Sequence, residues 1–265
     1  SIIEEIQEKL DNYNTLIGRE LSAIKKNMMA ESASIFNSYL KILLFPCELA
    51  FLDKQEKERI ERAHIKSGRR IYFNFSTNPT IEEFESHEIL LKNTMDLNIS
   101  WKNESETIKQ WYKELHKNSE EVIAYQELEN PTTEEHLNII IWLLKKFIFK
   151  KGTADDYFAE NDMRWTENKA IVRSLVLKTV KSYDSELEEK FELRSLSYNE
   201  EEDLAYFEKL FSETVKREQS FDEIIGNKTK NWDLTRIASI DMIILKMALT
   251  EMIVFPSIPV KVTIN

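Results

Sequence analysis

The side chains able to do chemistry are few in this chain and poorly placed for it. His64, His87, His116 and His136 lie far apart, with no pair at helical spacing and no Cys-x-x-Cys, so no zinc site is encoded. The one cysteine, Cys47, lies in the apolar run KILLFPCELAFL. Alone it excludes an intramolecular disulfide, and its setting predicts a core thiol over a reactive one. Gly18, Gly68, Gly152 and Gly226 are too dispersed to cradle a phosphate, and no Ser or Cys stands in a nucleophile elbow. The carboxylate pairs Asp155–Asp156 and Glu134–Glu135 could do acid–base work in principle, but caps and solvated helix faces account for such pairs. The expectation is a protein that is not an enzyme and that carries no metal or cofactor.

Recognition is better represented, in the segment NWDLTRIASIDMIILKMALTEMIVFPSIPVKVTIN at 231–265. A helix is predicted from Asp233, a plausible N-cap, to about Ile253, with Pro256 enforcing the stop. At roughly 100° per residue, Thr235, Ser239, Lys246 and Thr250 share one narrow polar stripe. Ile237, Ile240, Ile243, Ile244, Leu245, Met247, Leu249 and Met252 make the rest apolar, which predicts a helix central to its bundle. Asp241 falls opposite the stripe, on the face of Leu234, Ala238, Leu245, Ala248 and Met252. A desolvated carboxylate costs several kcal/mol unless paired. Asp241 therefore either meets a partner inside the fold or stands on an exposed apolar surface that receives a basic protein.

The elements that must position these residues are helices. Average usage would put roughly 18 Gly and 13 Pro in a chain of this length; it has four and five. With long Glu/Lys/Leu/Ile runs, this predicts an all-α helical bundle with short connections. Residues 1–64 read as two or more amphipathic helices. The nearly continuous apolar stretch from Ile35 to Leu52 predicts a buried helix bent or interrupted at Pro46. Positive charge is densest in Arg59, Arg62, Lys66, Arg69 and Arg70, followed by a loop through Gly68 to Pro79. Capping boxes are predicted at Thr80 with Glu83, Thr132 with Glu135 and Ser197 with Glu200.

Trp165 and Trp232, 67 residues apart, have corresponding lead-ins, and Trp101 marks a more degraded copy. Glu135–Leu137 and Glu202–Leu204 open a long helix before each of the first two, and Asp155 and Asp222 a shorter element. The bundle is thus expected to be built from degenerate repeated helical units, with Trp as a recurring core anchor as the plainer alternative. The expected divisions are an N-terminal helical region at 1–77, a middle region with the Trp-marked units at 78–198 and a C-terminal helical part at 199–265. No run approaches the ~18 uninterrupted apolar residues of a membrane span, and the acidic start SIIEEIQEKLDN is unlike a signal peptide; the cytoplasm is expected. Net charge is −11, which repels nucleic acid overall, so any RNA binding must be local or completed by a basic partner.

Residues 203–265 resemble the NusB family of transcription antitermination factors. Tyr206-Phe207 matches its Tyr-Phe helix. Arg236, Asp241 and the run Ala248, Leu249, Glu251 match its central helix, and Pro259, Lys261, Val262, Ile264 and Asn265 match the exit. The resemblance implies a small all-α protein that pairs with a small-subunit ribosomal protein, NusE. The pair binds the boxA element of nascent RNA and acts indirectly on the RNA polymerase elongation complex. On this likeness Asp241, Glu251 and Arg236 are candidate protein-partner residues, and Lys228, Lys230 and Lys261 candidate RNA contacts. The family pattern continues past the exit with two further helices, so Val260, Val262 and Ile264 read as an apolar pattern cut short. Its Arg-rich N-terminal helix has no clear match beyond Arg19, Lys25 and Lys26. The region before 199 resembles the enlarged N-terminal portion of some NusB-like proteins. Two alternatives stand beside this reading: the accessory domain of an rRNA cytosine methyltransferase, disfavoured because no cofactor-binding α/β domain follows, and a helical interaction scaffold without autonomous RNA binding.

Overall fold

The computed structural model describes residues 2–63, 71–183, 191–195, 200–228 and 237–264. Among the described residues all regular structure is helical, as the composition predicts. The order is α1 (Ile2–Ala63), α2 (Pro79–Ser86), α3 (Glu88–Asp96), α4 (Ser105–Asn118), α5 (Glu120–Gln126), α6 (Thr133–Trp142), α7 (Thr153–Asn161) and α8 (Trp165–Lys181), then α9 (Glu200–Lys216), α10 (Glu218–Lys228), α11 (Ser239–Val254) and α12 (Val260–Ile264). A π-helical segment, Leu143–Ile148, continues α6. The chain divides into a larger unit, Met28–Leu196, and a smaller one made of Ser1–Asn27 and Ser197–Asn265.

One expectation at the start of the chain is corrected: residues 2–63 form one helix, not two or more, and it runs through Pro46. Proline removes one donor and crowds the carbonyl four residues back. Around Pro46, however, Ile42, Leu43, Phe45 and Leu49 are fully buried, and their packing outweighs that loss. This stretch of α1 is long and apolar enough to cross a membrane by length and composition; Tyr39 and Leu40 join those four side chains in the core of the larger unit.

That core is aromatic. Trp111 meets Phe45 at 5.7 Å, Trp101 at 5.7 Å and Tyr157 at 5.4 Å, each edge to face, the geometry favoured by ring quadrupoles. Trp165 stacks on Phe158 at 4.7 Å. The indole N–H groups find acceptors, Trp101 on the Lys41 carbonyl at 2.8 Å and Trp165 on Asp155 at 2.7 Å. Cys47 packs against this core, and burial, with Glu85 and Glu48 nearby, pushes its thiol pKa up. Of the two tryptophans that define the repeat, Trp232 lies outside the described residues. α8 begins at Trp165 itself, whereas α11 begins only at Ser239.

The predicted caps divide. Thr132 and Glu135 form the expected capping box. Thr80 and Glu83 do not: Asn78 is the cap, its side chain accepting from the Thr80 and Ile81 amides, while the Thr80 hydroxyl is buried without a partner. Both segments read Asn-Pro-Thr. In the first, Pro79 takes the opening helical position, for which its fixed φ is suited, so the residue before it becomes the cap. Ser197 lies outside the described residues.

Candidate interaction face

The smaller unit holds the predicted site residues. α9 and α10 are nearly continuous, joined at Arg217, whose carbonyl accepts the Phe221 amide at 2.9 Å. Leu210, Phe221 and Ile225 are its buried apolar residues among those described. Lys25 of α1 pairs with Glu208 at 2.6 Å.

Against this frame α11 is turned opposite to the expectation that it is the apolar centre of a bundle. The Lys246 and Thr250 part of its polar stripe faces inward and is buried, whereas Ser239 is exposed, as are Ile240 at 62%, Ile243 at 50%, Ile244 at 56% and Ile253 at 55%. The reason lies in the partners. The Lys246 ammonium reaches Glu218 at 3.0 Å and Asp222 at 2.9 Å, both on α10. Thr250 donates to the Lys246 carbonyl at 3.0 Å and lies 2.9 Å from the Thr214 hydroxyl of α9. Burial pushes the Lys246 pKa down, but Asp222 and Glu218 together more than reverse this and raise it. Sequence reading placed Lys246 and Thr250 on one face; nothing in local spacing identifies that face as the inner one.

The expected helix start is also corrected. Ala238 is extended, with φ −61° and ψ 144°, and is the N-cap of α11, so a continuous helix from Asp233 is broken there. Asp233, Lys230 and Arg236 lie outside the described residues. Asp241 falls in the first turn of α11 and is exposed. A carboxylate there is stabilised by the positive helix end without needing a cation, and no ion pair among the described residues involves it. It stands beside Ile240, Ile244 and Leu245, all exposed. Of the two readings the sequence left, the exposure agrees with a surface position for Asp241.

Glu251 is engaged within the unit. Its carboxylate accepts from the Tyr206 hydroxyl of α9, and the adjacent Thr263 and Tyr206 hydroxyls hold its pKa below the usual carboxylate range. Burial and this contact push Tyr206 up to about 12. The Tyr206 ring also packs on Phe255 at 4.7 Å, with Lys209 over the opposite partner ring at 5.2 Å. Glu251 thereby ties α9 to α11. Lys228, in the last turn of α10, and Lys261, on α12, are exposed; no ion pair among the described residues involves either. Val260, Val262 and Ile264 are more than half exposed, at 51%, 65% and 70%.

The NusB family model matches residues 169–265, extending the resemblance upstream into α8. Similar curated proteins include the transcription antitermination protein NusB of Salinibacter ruber, 43% identical over 60 residues, covering 23% of this chain and 38% of that protein. That of Alkaliphilus oremlandii is 27% identical over 104 residues, 37% of this chain and 74% of its own. That of Natranaerobius thermophilus is 36% identical over 70 residues, 26% of this chain and 48% of its own. The chain thus spans well under two thirds of the first and third of these relatives. No solved structure matches it. The helices α9–α12, with their Tyr206–Glu251 tie and exposed α11 side chains, lie wholly inside the segment, residues 169–265, that the NusB family model matches.

Proposed function

We propose that this chain is a transcription antitermination factor, a binding protein of the cytoplasm and not an enzyme, whose α11 face receives the small-subunit ribosomal protein NusE. With that protein it binds boxA-type RNA and so acts indirectly on the RNA polymerase elongation complex. The observation that carries the reading is Asp241, exposed among exposed isoleucines within the family-matched segment. An apolar face with one exposed acid that has no ion pair among the described residues suits a basic partner, since burying the acid against Arg or Lys contributes both affinity and register. Glu251 and Arg236 are proposed to shape or extend this face, and Lys228, Lys230 and Lys261 to meet RNA phosphates. Because net charge is −11, RNA affinity is low until the basic protein joins.

Asp241→Asn tests this by keeping shape and removing charge. The variant melts within a few degrees of the parent, because Asp241 is exposed and no ion pair among the described residues involves it. Calorimetric titration with NusE shows affinity lower by about tenfold, about 1.4 kcal/mol. Unchanged affinity removes Asp241 from the site. A scaffold without autonomous RNA binding is favoured by the acidic charge; it wins if boxA RNA binds equally poorly with and without NusE.

A further inference from the structure

Outside the family-matched segment, the larger unit carries a built groove between the C-terminal part of α1 and α4, enclosing about 670 Å³. Its floor is apolar, made by Leu52 and Ile60 of α1 with Ile71 and Phe73 of the connecting segment. One wall carries Lys109, Lys113 and Lys117, each four residues from the next along α4, hence about 6 Å apart and on one face. Lys109 is paired with Glu106, and Arg59 on the opposite wall with Glu56. Lys113 and Lys117 are exposed, and no ion pair among the described residues involves them.

The floor is held rigidly. Phe73 lies in the left-handed region at φ 58° and ψ 46°, a conformation that costs a residue with a Cβ about 1–2 kcal/mol. It is kept there by its neighbours: Tyr72 donates to the Gln126 carbonyl at 2.9 Å, and the Asn74 amide to the Gln126 side chain at 2.6 Å. Beneath lies Asp53, fully buried, accepting from the Phe75 amide at 3.0 Å, Gln126 at 2.8 Å and Tyr112 at 2.7 Å. A pre-formed floor lowers the ordering cost of binding.

We infer that this groove is a docking site for an acidic amphipathic helix, which lays apolar side chains on the floor and sets carboxylates against Lys113 and Lys117. A helix repeats side chains at the same four-residue spacing as the lysines, so one face can meet Lys113 and Lys117 together. Charge complementarity favours an acidic occupant, and the apolar floor favours a peptide over RNA. Base stacking needs an open ring face, whereas Phe73 is 8% exposed and the Tyr112 and His116 rings are packed on each other at 4.0 Å.

The probe is a fluorescein-labelled helical peptide of about 16 residues, about 24 Å long, with Glu at every fourth position and Leu on the adjoining face. Anisotropy titration of the full chain gives saturable binding. The Lys113→Glu/Lys117→Glu variant keeps its melting temperature and binds at least tenfold more weakly, and Ile71→Ser weakens binding independently. Equal binding of a peptide with Lys in place of Glu overturns the inference. So does unchanged affinity in the double variant, tighter binding of single-stranded oligouridylate, or no peptide binding to the parent at about 1 mM, the limit of weak recognition.

Discussion

The two units solve the burial problem in opposite ways. In the larger, Trp101, Trp111, Trp165, Phe45 and Phe84 are each no more than 2% exposed, and the polar groups that go inside, Asp53, Asn74 and Asn78, are bonded on several sides. In the smaller, the described interior is reinforced by a lysine held between two carboxylates and a pair of threonines, while isoleucines on α11 face outward. Apolar area removed from water stabilises at about 25 cal/mol per Å², so the larger unit is expected to be self-sufficient. In the smaller unit several apolar residues of α11 are exposed instead. A core built on aromatic packing resists change; a face built of exposed isoleucine and one acid is suited to binding.

The sharpest way to break this contrast is a matched pair of truncations. Trp111→Ala removes the ring at the centre of the larger core and lowers stability by about 3–5 kcal/mol, read by urea denaturation of the full chain. Ile243→Ala on α11 changes it by less than about 0.5 kcal/mol, the range of surface substitutions. Comparable losses would mean that the α11 face is internal after all.

A smaller effect, about 1 kcal/mol, is expected from Lys246→Met, because the carboxylates it leaves can still reach water. Its pH dependence is more telling. The Lys246 pKa is raised in the folded chain, so its contribution is complete below the unfolded value of about 10.4. That contribution disappears as pH rises through the higher folded value. Stability of the parent therefore declines above about pH 10.4 by an increment that Lys246→Met abolishes; identical alkaline profiles would show that the α10–α11 contact adds nothing.

The smallest changes differ between the two Asn-Pro-Thr segments. Thr132→Ala loses a capping box and about 1 kcal/mol. Thr80→Val, which replaces a hydroxyl buried without a partner, is neutral or slightly stabilising by thermal melting. A loss at Thr80 equal to that at Thr132 would restore the capping role the sequence suggested for both.

Much was legible without coordinates. Scarce glycine and proline, the run from Ile35 to Leu52 and the Thr132 box each act through local chemistry, and each is found in the fold. The ordered set from Tyr206 to Ile264 lies within the segment that the NusB family model matches. What local pattern misjudged were choices between alternatives of similar local merit. A single proline could break α1 or be carried through by burial of Phe45 and Leu49. An Asn-Pro-Thr start could cap on Asn or Thr, and the position of Pro79 decided it for Asn.

The orientation of α11 shows the boundary most clearly. Its sequence determined a helix, a stripe of Lys246 and Thr250, and an acid on the other side. Which side faces inward depends on the groups presented by neighbouring helices, and those are set by residues up to 36 positions away, as Thr214 is from Thr250. With Glu218, Asp222 and Thr214 waiting, the polar stripe gains its bonds only by turning inward. Turning it outward would leave those groups facing isoleucine, and only the tertiary fold brings them close enough to decide between the two.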